Sequence, residues 1–227
     1  MRYTTFLLDL DHTLFDTEAS ETAAFEQTMS AAGVTDAESH WAAYQRINLE
    51  LWAAVEREEI QPQVVRTRRF ELFVAEQELD ADPQRMADDF VTGLGMNGDL
   101  YAGAREVLEH LSERASLGMV TNGLSEVQRT RIERLGLDDY FDAIAISAEI
   151  GAAKPGTEIF DIVFESMKRP TKKSAVMVGD NLSADIQGGV NFGIATCWYN
   201  PHSRSVNAAD SINHEIRELQ ELKDLVV

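Results

Sequence analysis

The sequence predicts an α/β protein, a doubly wound parallel sheet interrupted by a helical insert. Three observations carry this. From residue 99 onward, short apolar runs alternate with stretches of helical periodicity. Residues 17–98 hold no convincing strand and read as helices. Three of the apolar runs end in small polar or acidic clusters, as expected where an open sheet binds its ligand at the carboxyl ends of its strands.

Phe6-Leu7-Leu8 is the first strand, and it exits at Asp9-Leu10-Asp11-His12-Thr13. In the insert, Tyr44, Ile47, Leu51 and Val55 recur at spacings of 3, 4 and 4, one face of an amphipathic helix. Phe70, Phe73, Val74 and Gln77 mark a later helix. Pro62 and Pro83 punctuate the segment, and Gly93, Gly95, Asn97 and Gly98 predict a flexible exit. The expected division is therefore a core of residues 1–16 and 99–227 and an insert of residues 17–98. In the core, a helix around 103–114 leads to a strand over Leu117–Val120. Ser125 and Gln128 form a capping-box pattern for the next helix, which Gly136 can end. A strand follows at Ala143–Ile146, then a helix marked by Ile159, Phe160, Ile162, Val163 and Met167. A strand at Ala175–Val178, a helix to about 192 and a strand at 194–199 come next, with a short strand and helix within 212–225. Right-handed crossovers make such a sheet mostly parallel and cover both faces.

The chain has 227 residues, with 20 Lys and Arg against 39 Asp and Glu, a formal net charge of -19. That balance argues against binding nucleic-acid polymers or anionic membranes, which need a basic surface. An anionic substrate must then be drawn in by local cations. Cys197 is the single cysteine, which excludes an intramolecular disulfide, and its apolar run predicts a buried, inert thiol. No apolar stretch approaches the roughly 20 residues of a membrane span. With no leader pattern at the N-terminus, a cytoplasmic setting is the expectation, as a monomer or weak homodimer.

The polar residues at the strand exits are the informative ones. Asp9 and Asp11 follow the first strand, Thr121, Asn122 and Gly123 the second, and Gly179, Asp180, Asn181 and Asp185 the fourth. Lys154-Pro155 lies between them, ahead of a helix. Each alone reads as an ordinary turn. Together they supply what phosphoryl chemistry needs. A carboxylate can form an aspartyl-phosphate, splitting one displacement into two easier ones. A second carboxylic acid can protonate the leaving oxygen and then activate water. Mg²⁺ favours oxygen ligands and commonly binds one or two carboxylates beside phosphates. A Lys, a Thr hydroxyl and backbone N–H groups can hold the non-bridging oxygens.

Asp9-x-Asp11-x-Thr13, Thr121, Lys154 and Gly179-Asp180-x4-Asp185 resemble, in that order, the four motifs of the haloacid dehalogenase (HAD) superfamily of phosphohydrolases. The resemblance spans essentially the whole chain. It implies a Rossmann-like HAD core with the insert as a cap domain that closes over the leaving group, and residues 12–18 as a hinge. It implies Asp9 as nucleophile, Asp11 as general acid/base, and Thr121 and Lys154 binding the substrate phosphate. The backbone N–H groups of Asn122 and Gly123 could add contacts to it. Mg²⁺ would be held by Asp9, the Asp11 carbonyl and Asp180, with Asp185 in support. The run Gly179–Gly189, continuing to Thr196–Pro201, and Thr121-Asn122-Gly123 with Gln128 and Arg131 are similar to the pyrimidine 5′-nucleotidase branch. The implied substrate is a small-molecule phosphomonoester, a nucleoside monophosphate such as dUMP, UMP or dTMP.

Within the same scaffold, a sugar-phosphate phosphatase or a phosphomutase is the alternative. A receiver-like signalling module also clusters Asp, Thr and Lys, but its acceptor follows an interior strand and it carries no helical insert. Thr13 reads as structural and His12 as bland, since Asp11 fills the base role. Asp16 could be a hinge partner. In the insert, Trp41, Tyr44 and Trp52 could stack on a flat base, and Arg66, Arg68 and Arg69 could meet a phosphate or carbonyl. Aromatic residues at helical spacing are more commonly core.

Overall fold

A computed structural model describes residues 2–205 and 212–227. Six strands form one sheet in the order β3-β2-β1-β4-β5-β6: β1 Thr5–Leu8, β2 Ser116–Thr121, β3 Ala143–Ile146, β4 Ala175–Gly179, β5 Ala195–Tyr199 and β6 His214–Ile216. All pairings are parallel, with Leu7 of the central β1 opposite Gly118 on one side and Met177 on the other. Alternate residues of a strand face opposite ways. Phe6, Leu8, Met119, Val176 and Val178 accordingly pack with Val107, Leu108 and Ile132, while Leu7, Val120 and Met177 pack with Ile159, Phe160 and Val163 on the other face. Burial on both faces is why these strands read as continuous apolar runs.

Helices α5 (Ala104–Ser112) and α6 (Ser125–Leu135) cover the first face, and α8 (Glu158–Ser166) and α9 (Gln187–Phe192) the second; the short α7 (Ser147–Ile150) follows β3. A 3₁₀ turn at Leu219–Asp224 stands where the sequence predicts the last helix. Gly136 ends α6 at φ 59°, as expected. The capping box does not form. Ser125 Oγ donates to Glu149 Oε1 at 2.6 Å, and Gln128 turns inward to Thr121 and Asp11. The half-buried Asp11 carboxylate holds the Gln128 side chain in preference to the local helix turn.

Between β1 and β2 the chain folds into α1 (Thr17–Ala31), α2 (Ala37–Glu56), α3 (Pro62–Glu76) and α4 (Pro83–Met96). Pro62 and Pro83 open their helices, where the missing N–H costs nothing. Asp16 caps α1, accepting from Ala19 N at 3.1 Å. Gly93 and Gly95 depart from expectation, because they lie inside α4 and not in an exit loop. A Cβ on Gly93 would sit 2.8 Å from that of Ala24, and one on Gly95 2.9 Å from Thr130 Cγ2. They permit close approach of α4 to α1 and α6. Phe25, Tyr44, Phe70, Phe73 and Phe90 form the insert's own aromatic core, with Trp41 stacked on Tyr44 at 5.3 Å. The two connections run side by side: Asp16 N donates to Asp99 O, and Phe15 bridges Leu100.

No helix among the described residues is long and apolar enough to cross a membrane. Cys197 in β5 is buried, and burial pushes its thiol up to about 12. The folded protein is expected to resist a thiol reagent at pH 8 and to titrate one thiol per chain once unfolded; rapid native reaction would contradict this placement.

Candidate active site

The strand order reverses direction on either side of β1, so a crevice opens at the carboxyl ends of β1 and β4. Asp9 leaves β1 there, its N–H still bonded to Val178 O of β4 at 3.0 Å. Lys154 approaches from the loop before α8, and its ammonium donates to Asp9 Oδ1 and Asp185 Oδ1, each at 2.6 Å. Lys154 is 2% exposed and Asp185 is fully buried. The Asn122 side chain positions that lysine: its amide donates to Lys154 O and its oxygen accepts from Lys154 N, both at 2.9 Å. Asn122, whose backbone N–H is expected to contact phosphate, spends its side chain on the backbone of Lys154. The N–H of Gly123 is engaged by Ser147 Oγ at 3.0 Å.

Asp180 and Asp185 are placed by the turn after β4. Asn181 caps it, accepting from Ser183 N and Ala184 N, and a π-helical turn over Leu182–Ile186 carries Asp185 back to the sheet edge. Such turns recur at functional sites. Asp185 Oδ2 accepts from Asn181 N at 3.0 Å. Gly179 makes room for it: a Cβ there would lie 2.1 Å from that same oxygen. Asp180 is held by its backbone, with its N–H donating to Thr13 Oγ1 at 3.1 Å and its carbonyl accepting from Trp198 Nε1 at 2.9 Å. Thr13 is structural, as expected.

Asp9, Asp180 and Asp185 each bring a carboxylate oxygen within 4.8 Å of the others. Burial raises the Asp9 carboxyl well above its usual range, and the charge of Asp185 adds to this against the pull of Lys154. Burial and Asp185 likewise push Asp180 up to about 6. Burial alone would lower Lys154, but Asp185 and Asp9 hold it charged, above the usual lysine range. The Lys154 ammonium and the half-exposed Arg204 guanidinium, 3.7 Å from Asp180, do not balance three clustered carboxylates. The donors are hard oxygens, the set that suits Mg²⁺, and these three residues could hold it.

Asp11 has separate company. Its Oδ1 accepts from Arg131 Nη1 at 2.5 Å and from Thr17 Oγ1 at 2.7 Å, and its Oδ2 accepts from Gln128 Nε2. Burial opposes ionisation, yet Arg131 and then Thr17 prevail and hold the carboxyl below its usual range. Thr121, fully buried, accepts from Gln128 Nε2 at 2.9 Å. Gln128 and Arg131 lie one turn apart on α6, a spacing legible in sequence, but their partner is a strand exit more than a hundred residues away. Thr17 carries no sequence signal at all.

The insert stands over this edge. Glu56 at the end of α2 accepts from Asn181 Nδ2 at 3.0 Å and Ser183 Oγ at 2.7 Å. Arg66 of α3 donates to Glu126 of α6 at 2.6 Å. Arg131 Nε reaches Leu94 O of α4 at 3.0 Å. Between the two parts lies a cleft of about 450 Å³, lined from below by Asp9, Asp11 and Lys154 and from above by Asn48, Trp52 and Arg69. Tyr44 is core; Trp52 and Arg69 alone of the insert candidates line the cleft.

Residues 6–199 match the family model of the haloacid dehalogenase-like hydrolases. The chain belongs to that family. It is 32% identical over 226 residues to the pyrimidine 5′-nucleotidase YjjG of Escherichia coli strain K12, covering 100% of this chain and 99% of that one. The pyrimidine 5′-nucleotidase PynA of Streptococcus pneumoniae is 33% identical over 225 residues, with 99% and 95% covered. Its structure is similar to that of the HAD-hydrolase YfnB of Bacillus subtilis bound to magnesium, at TM-score 0.90 and 31% identity over 100% of this chain and 99% of that one; interdomain movement is reported for YfnB.

Gly179→Ala is expected to cost about 1–3 kcal/mol, since the new methyl cannot share space with the buried Asp185 carboxylate. Urea unfolding measures this, and an unchanged midpoint would show that Asp185 is free to move aside.

Proposed function

We propose that this hydrolase is a Mg²⁺-dependent phosphomonoesterase working through an aspartyl-phosphate, and that its substrates are pyrimidine nucleoside 5′-monophosphates. The observation that carries the reading is the meeting of Asp9, Asp180 and Asp185 around the Lys154 ammonium, with a second carboxylate, Asp11, beside them and held by different partners. The nucleotide assignment draws on the two nucleotidase relatives, which the chain matches end to end.

In this mechanism Asp9 attacks phosphorus, forming a carboxyl–phosphate bond as the ester P–O bond breaks. Asp11 donates a proton to the departing alkoxide. Asp11 then takes a proton from water as its oxygen attacks the same phosphorus, releasing inorganic phosphate and restoring Asp9. Lys154 neutralises charge between Asp9 and the phosphoryl oxygens, while the buried Thr121 hydroxyl is joined to this edge through Gln128, which also donates to Asp11. Bound Mg²⁺ would shield the anionic nucleophile from the anionic phosphate. The two halves ask opposite things of Asp11, a proton in the first and an empty oxygen in the second. The Arg131 contact favours the second. Both Thr17 and Leu94, which tie Asp11 and Arg131 to the insert, lie in α1 and α4. We take residues 17–98 as a cap domain on the core of 1–16 and 99–227, with the paired connections at Asp16 and Asp99 as its hinge. A cap seated by a few polar contacts can open to admit substrate and close to exclude water.

Asp9→Asn is expected to abolish Mg²⁺-dependent release of phosphate from dUMP while leaving the melting temperature and circular dichroism near wild type; appreciable turnover would remove Asp9 from the nucleophile's role. Chelation with EDTA is expected to silence the enzyme and added Mg²⁺ to restore it. Full activity in chelator would eliminate the metal from the mechanism. A panel of dUMP, UMP and dTMP against purine nucleotides and sugar phosphates tests the substrate class: sugar phosphates winning by orders of magnitude in kcat/KM would replace the nucleotidase assignment and leave the phosphatase standing.

A further inference from the structure

Arg69 of α3 is buried in a way that neither the cap's packing nor the hydrolytic residues explain. It is 2% exposed, and its Nε and Nη2 have no hydrogen-bond partner. Nη1 donates to Asn48 Oδ1 at 3.2 Å, and the Tyr44 hydroxyl also stands close to the guanidinium. Its neighbours differ: Arg66 pairs with Asp88 and Glu126, and Arg68 with Glu71. Among the described residues no carboxylate forms an ion pair with Arg69. A guanidinium does not lose its proton, and buried polar groups left without partners are rare enough to need a reason.

The surroundings hold Arg69 in place without satisfying it. Phe90 lies under one face, 4.5 Å from the guanidinium carbon. Asn48, which takes Nη1, is itself fixed by donating Nδ2 to Glu21 Oε1 at 2.8 Å, and that oxygen also accepts from the Tyr44 hydroxyl at 2.7 Å. Glu21 therefore spends its charge on Asn48 and Tyr44. Arg69, Asn48 and Glu21 all line the cleft that contains Asp9, together with the apolar surfaces of Trp52, Leu94 and Leu124. The cluster offers donors beside flat apolar walls. Arginine has no acceptor, so what it binds must present oxygen or unprotonated nitrogen.

We propose that Arg69 is the residue that reads the leaving group, its free N–H groups binding the 4-carbonyl oxygen of uracil or thymine while Asn48 holds the guanidinium in place. This rests on the phosphomonoesterase reading above. At the 4-position cytosine carries an amino donor where uracil and thymine carry a carbonyl oxygen, so a guanidinium aimed at that position would meet a donor in place of its acceptor. A donor built to meet an acceptor rejects the analogue that lacks it.

The test uses the Mg²⁺-loaded enzyme with dUMP, dTMP and dCMP, and with acetyl phosphate, which delivers a phosphoryl group without a base. Wild type is expected to favour dUMP and dTMP over dCMP. Arg69→Met is expected to lower kcat/KM for dUMP and dTMP by about 10- to 100-fold, chiefly through KM, and to narrow the preference over dCMP. Acetyl phosphate turnover is expected to stay within about twofold. Equal losses on all four compounds would make Arg69 a structural residue and overturn the assignment, as would no loss on any. Should Arg69→Met fail to fold, Asn48→Ala, which frees Nη1 and loosens the clamp, carries the same comparison with the same deciding outcomes. Wild-type turnover of acetyl phosphate with none of the three nucleotides would refute the base-reading role and leave the phosphatase intact. Turnover of nothing would bring down both.

Discussion

Lys154 places one ammonium between two buried carboxylates, Asp9 and Asp185, at the edge of the sheet. Much of the surrounding structure serves that contact. Asn122 grips the lysine's backbone, Gly179 vacates the space Asp185 occupies, and the turn capped by Asn181 returns Asp185 to the edge. The arrangement is electrostatically incomplete, because Asp180 brings a third carboxylate and meets only the half-exposed Arg204 guanidinium, at 3.7 Å. Incomplete charge balance at a buried sheet edge costs stability, and perturbed, unbalanced carboxylates of this kind cluster at functional sites.

A second interaction joins this edge to the helices above it. The Arg131 guanidinium stacks on Phe15 at 4.2 Å and touches Asp11, Ser20 and the carbonyl of Leu94. It therefore contacts the core, the connection and two helices of the insert at once. Displacing the insert would strip partners from a buried charge, so the seat of α1 and α4 and the hydrogen bonding of Asp11 are energetically linked. Glu56, bonded to Asn181 and Ser183, links the far side of the insert to the turn that positions Asp185.

Much of this was legible in the residues because it depends on local periodicity. Each core strand appears near its predicted place, since strands buried on both faces must be apolar throughout. The acidic exits were visible for the same reason: where apolar runs alternate with helices, a polar cluster that closes a run marks the carboxyl end of a strand. Gly93 and Gly95 show the limit. A glycine that breaks a helix and one that lets two helices approach look alike until the partner helix is known. Gln128 shows the same ambiguity, with a local pattern that favours a cap and a distant carboxylate that takes its side chain instead.

The sequence by itself determined the doubly wound sheet, the helical insert and the set of residues at its carboxyl edge, because periodicity and the order of strand exits are properties of the linear chain. Only the tertiary structure decided which polar groups meet. That Asn122 serves Lys154, that Arg131 and Thr17 hold Asp11, and that Arg69, not Arg66 or Arg68, stands buried over the cleft all depend on how four helices settle on a sheet from which they are separate in sequence. Charged side chains of one helix are interchangeable in composition. Packing places one of them in the dark with its donors unspent.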